Sequence, residues 1–165
     1  MLKIWVLFLE QIFFKDIIIS LIISFILLIV AKALEQRLTN PITKRYYMPF
    51  VVSKILYAFF FVILHSYVYK GGDTFLYFAG AKFILSQIAE SPENISTFLF
   101  TDFYPNQQVV YTDNFKIYYS FRDKATLIMS QITAIITFFG VKSFLATNIL
   151  FSYLFSFGIW HLFSR

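Results

Sequence analysis

Cysteine is absent from this chain, which excludes disulfides, thiolate metal sites and cysteine nucleophiles. Histidine is nearly absent. His65 and His161 each sit inside an apolar run, whereas a zinc centre needs three or four converging ligands. Charge is also scarce: Asp, Glu, Lys and Arg make up 14% of the 165 residues, against about 25% in an ordinary soluble domain. The basic residues, which leave a net charge of +5, are scattered or lie between apolar runs. They form no stripe of the kind a phosphate backbone needs, so no nucleic-acid partner is expected. The positive balance reads instead as membrane topology. No Ser-His-Asp constellation, P-loop or dinucleotide fingerprint occurs.

What the chain does contain is apolar surface. Hydrophobic residues account for 59% of it, with 23 Phe and 11 Tyr, and the excess is concentrated in long runs. That pattern predicts an all-α polytopic membrane protein, forming a single membrane domain over 1–165. Residues 1–15 are apolar but broken by Lys3, Glu10 and Lys15. No small-residue cleavage site follows, which argues against a signal peptide and for a short interfacial helix anchored by Trp5. Four spans are expected, at about 17–34, 48–69, 125–139 and 143–163. The first covers about 27 Å, close to the hydrocarbon thickness. The third is short and rich in Ser and Thr, so it is expected to pack against other helices and not to face lipid all round.

Between the first two spans, Glu35 to Tyr47 reads as a polar linker with Arg37, Lys44 and Arg45 and a turn at Asn40-Pro41. Between the second and third spans lies a long polar segment, 70–124. Within it, Asp73 or Thr74 caps an amphipathic helix that runs to about Ala89 and ends at Ser91-Pro92-Glu93-Asn94. The aromatic stretch 95–121 holds no period and reads as a folded loop on the membrane surface. Loop charge places 35–47 inside, and the 70–124 segment and the N-terminus outside.

Lys70-Gly71-Gly72-Asp73-Thr74-Phe75-Leu76-Tyr77 carries the strongest chemical signal. It sets a carboxylate on a glycine pair at the mouth of a span, where an acid normally faces water, a cation or a substrate. Asp73 is a candidate general base or metal-binding carboxylate; the plainer alternative is a helix N-cap. On a helix starting at Thr74, Asp73, Tyr77 and Gly80 share a face, and Gly80 asks for a packing or ligand reason. Asp102, Asp113 and Asp123 are expected on the same side of the membrane. Arg122 and Lys124 form a candidate grip for a lipid phosphate or pyrophosphate, or ordinary juxtamembrane charge. Tyr77, Lys82, Arg122 and Lys124 make up the candidate substrate-binding set. His65, Gln131 and Asn148 read as interhelical hydrogen-bonding groups.

The Gly71-Gly72-Asp73-Thr74-Phe75-Leu76-Tyr77-Phe78 run, followed by a short surface helix and an aromatic loop, resembles the start of GT-C-type multi-span glycosyltransferases and the related polysaccharide polymerase-like proteins of bacterial envelopes. Phe121-Arg122-Asp123, Ser130-Gln131 and Phe138-Phe139-Gly140 resemble the next helical hairpin of such proteins. The resemblance implies a bacterial inner-membrane protein, a polyprenyl-phosphate-linked sugar as donor, and Asp73 acting near the acceptor or at a divalent metal ion. It also implies more spans than four. The chain is therefore expected to be an N-terminal portion of such an enzyme, inactive alone, or a small membrane protein with the same layout. A non-catalytic membrane subunit, whose 70–124 segment docks a partner, is the alternative.

Overall fold

The computed structural model describes residues 2–69, 73–100 and 123–163, and among these every regular element is helical. Six helices follow in order: α1 (Leu2–Gln36), α2 (Pro41–Ile63), α3 (Asp73–Glu90), α4 (Ile95–Phe100), α5 (Lys124–Phe139) and α6 (Phe144–Phe163). After α2 the backbone widens into π-helical turns over Leu64–Tyr69, and a 3₁₀ turn, Pro92–Asn94, leads into α4.

The all-helical expectation holds, and the described residues supply two or three candidate spans beside the four expected. Among the described residues, two stretches are long and apolar enough to cross a membrane, Phe14–Gln36 with 23 residues and Pro41–Ser66 with 26. They cover about 35 Å and about 39 Å, more than the ~30 Å of bilayer hydrocarbon. A third is reached only if Lys124–Phe139 and Phe144–Trp160 count together as one broken span. The reason lies in α5, whose 16 residues cover only about 24 Å.

Two boundaries also differ from expectation. The separate interfacial helix over 1–15 merges into α1, which runs unbroken through Lys15 and Asp16. Charged residues tolerate helix interiors well, and no Gly or Pro interrupts the run. The polar linker 35–47 shrinks to a turn, since α2 already begins at Pro41. Its start is set locally: the Asn40 side chain accepts from the amides of Ile42 at 2.9 Å and Thr43 at 3.4 Å. Pro41 occupies the first helical position, where its missing amide costs nothing.

The chain divides into two compact units, Met1–Leu64 with Ser143–Arg165, and His65–Lys142. In the first, α1, α2 and α6 pack on one another. Helix α2 contributes one stripe, Tyr47, Val51, Ile55, Ala58 and Val62, at spacings of three and four residues. Helix α1 contributes Ser20, Ser24, Leu27 and Ala31. Ala146 and Ile149 of α6 are fully buried, and Ser152 Oγ donates to the Lys54 carbonyl at 3.1 Å. Trp160 packs its ring on Tyr47 and Phe50, with centroids 5.3 Å and 4.9 Å away.

In the second unit α3 packs on α5, and α4 packs on both. Its core holds Ala81, Ile84 and Leu85 of α3 with Leu127 and Ala134 of α5, flanked by Phe98 and Leu99 of α4. A capping box opens α5: Asp123 Oδ1 accepts from the Thr126 amide at 2.8 Å, while the Asp123 amide donates to Thr126 Oγ1 at 3.4 Å. The helix closes at Gly140. Val141 and Lys142 follow in the left-handed region with φ of 53° and 58°, held there by bonds from their amides to the Phe138 and Thr137 carbonyls.

Candidate functional site

Asp73 is the first residue of α3 and its side chain is exposed. A carboxylate in the first turn interacts favourably with the helix's unpaired amides. The expected capping role is therefore compatible with its position, and so is access to a ligand. The glycine pair Gly71-Gly72 lies outside the described residues. In the chain before it comes the π-helical stretch Leu64–Tyr69, which includes half-buried His65. Widened turns of this kind are uncommon and often accompany functional sites.

Helical spacing puts Tyr77 and Gly80 on the face of Asp73, and the structure shows what that face does. Tyr77 is half-buried and Gly80 is buried. One turn further on the same side come Ile84 and Ile88, of which Ile84 is fully buried in the α3–α5 core. The Asp73 face is thus the upper end of the packing seam. Gly80 is buried on this face, in keeping with a packing reason for a glycine there.

Of the other candidate residues, Lys82 does not share the face of Asp73. Lys82 lies nine positions on, half a turn out of phase, so it projects from the opposite side of α3. It is exposed, with its ammonium 5.8 Å from the Phe78 ring centroid. Lys124 is exposed at the start of α5. Arg122 lies outside the described residues, as do Asp102 and Asp113 and the aromatic stretch beyond Phe100. Asp123 is engaged as the cap of α5.

A divalent ion bound through oxygen takes about six ligands, several of them carboxylates or carbonyls. Among the described residues, no group of three or more His, Asp or Glu side chains comes together to hold one.

The polar residues of the apolar helices serve packing. Gln131 Nε2 donates to the Phe98 carbonyl of α4 at 3.3 Å, an interhelical bond as expected. Asn148 departs from expectation: its Nδ2 donates to the Phe144 carbonyl at 2.8 Å, one turn back in its own helix. Ser20 and Ser24 of α1 are buried as well, and two small polar residues one turn apart in an apolar run are a signal for close helix packing. Near Trp160, a small pocket lined by Tyr47, Val51, Tyr153 and Ser156 has room for about one water.

Comparison with family models, with curated proteins and with solved structures finds no match to this chain.

Proposed function

We propose that this chain is a membrane glycosyltransferase-like protein, or the N-terminal portion of one, acting on a lipid-linked sugar at the outer face of a bacterial inner membrane. The observation that carries the reading is the exposed Asp73 carboxylate at the first turn of α3, one turn from Tyr77 and preceded by the π-helical stretch Leu64–Tyr69. In this reading Asp73 is the general base. It takes the proton of the acceptor hydroxyl as that oxygen bonds to the anomeric carbon, while the bond from that carbon to the lipid phosphate breaks and the phosphate leaves with the electron pair. Tyr77 lies on the same face and orients the acceptor. Lys82 drops out of the substrate-binding set because it points the other way.

The test uses membranes carrying the full chain, supplied with a radiolabelled polyprenyl-phosphate-linked hexose. Asp73→Asn removes the base and keeps the shape. Transfer falls by about 10²–10⁴-fold, the usual contribution of a positioned base, while the amount of protein in the membrane stays the same. Unchanged transfer in that variant removes Asp73 from the mechanism, and no transfer by the unaltered chain sinks the enzyme reading for this length of protein.

The second reading is a non-catalytic membrane subunit, and one observation favours it. The face bearing Tyr77 and Gly80 continues directly into the α3–α5 core, so packing alone accounts for both residues. A subunit co-purifies with a fixed membrane partner, and Asp73→Asn then alters assembly with no change in transfer.

A further inference from the structure

Helix α5 is inverted relative to a helix on the surface of a water-soluble domain. Beyond its first turn its polar side chains Ser130, Gln131, Thr133 and Thr137 are buried. Its exposed side carries Ile128, Met129, Ile132, Ile135, Phe138 and Phe139, with the two phenylalanines 65% and 66% exposed. Spacings of three and four residues connect 128, 132, 135 and 139 into one continuous stripe. In water such an arrangement is doubly unfavourable, since it exposes apolar area and hides hydroxyls that water would solvate.

The same inversion occurs in α1, whose 23-residue stretch from Phe14 is long and apolar enough to cross a membrane. There Ser20 and Ser24 are buried, while Leu21, Ile22, Phe25 and Ile29 are exposed. The likeness extends to detail. Ser20, Ser24 and Ser130 each bury a hydroxyl with no hydrogen-bond partner among the described residues. Small polar groups turned inward and branched or aromatic ones turned outward are what hydrocarbon solvent selects, because lipid tails reward no polar contact.

We infer that the outer stripe of α5 faces lipid acyl chains, although α5 is too short to cross a bilayer by itself. The flanks agree. Asp123 and Lys124 stand at one end of the helix and Lys142 at the other, all exposed, and no charged residue interrupts the 17 positions between Lys124 and Lys142. The inference does not depend on sugar transfer and holds equally for a non-catalytic subunit.

The absence of cysteine from the chain makes the test direct, because a single introduced cysteine takes a nitroxide label without background. Ile132→Cys and Ile128→Cys change exposed side chains, which leaves packing nearly untouched. Ile26→Cys in α1 serves as the lipid reference and Glu90→Cys, at the exposed end of α3, as the water reference. The full chain is reconstituted in phosphatidylcholine–phosphatidylglycerol vesicles, and collision of each label with oxygen, which concentrates in lipid, is compared with collision with a water-soluble nickel chelate. Labels at 128 and 132 give the oxygen-to-nickel ratio of Ile26→Cys. A ratio like that of Glu90→Cys overturns the inference in favour of water. Low collision with both probes overturns it in favour of a protein neighbour, either a second copy or another subunit.

Discussion

The unit built from α1, α2 and α6 and the unit built from α3, α4 and α5 reach burial by different routes. In the first, two helices exceed the thickness of the hydrocarbon, and the contacts are a long aliphatic stripe on α2, small residues on α1 and a ring cluster around Trp160. In the second no helix among the described residues exceeds 18 residues. Its core is a short seam of Ala, Ile and Leu, reinforced by a capping box on α5 and an interhelical bond from Gln131. The first unit declares its solvent by length. In the second, where α5 has only 16 residues, the signal is which side of that helix is buried.

Core deletions give the sharpest way to break this comparison. Leu127 and Ile149 are both fully buried, one in each unit. Each truncation to alanine is expected to cost about 2–5 kcal/mol. Amide exchange then shows whether the damage stays local: Leu127→Ala accelerates exchange in 73–100 and 124–139, and Ile149→Ala does so in α1, α2 and α6. Equal acceleration throughout the chain in either variant would mean that the two units unfold as one.

A smaller effect is expected in the turn between α5 and α6. Val141 is β-branched and sits at φ 53°, a conformation that costs a residue with a side chain about 1–2 kcal/mol. Val141→Gly is therefore expected to raise the unfolding midpoint, while Val141→Ala changes it less. A loss of stability in the glycine variant would show that the Val141 side chain contributes more than its backbone strain costs.

The smallest effect belongs to α6. A Cβ built on Gly158 meets nothing within 4 Å, so Gly158→Ala gains helix propensity without a clash. A gain of about 0.5–1 kcal/mol is expected, measured as a shift in the denaturation midpoint. A loss would identify close approach of a neighbour to this exposed position.

Much of this molecule was legible from pattern. The helix over Asp73–Glu90 followed from an acid at its start and Ser91-Pro92 at its end, whereas the capping role of Asp123 at the start of α5 came only with the structure. These are local effects, decided by side chains reaching their own backbone within three or four residues. The break expected at Lys15 did not occur because two charges are no obstacle to a helix already propagating on both sides. The candidate site was legible only in part. Spacing put Asp73, Tyr77 and Gly80 on one face, but only packing could show that the face runs on through Ile84 into a core. The helix period puts Lys82 on the opposite side from that face.

Composition and run length were enough to establish a helical chain with apolar spans, since the hydrocarbon thickness and the need to pair every backbone amide depend on no neighbour. Capping chemistry was enough to place Asp73 at the head of a helix. Which side of each helix is covered, and hence that α5 hides its hydroxyls and shows its isoleucines, was decided by tertiary structure alone. Burial is a property of pairs of helices, and no single helix carries the identity of its partner.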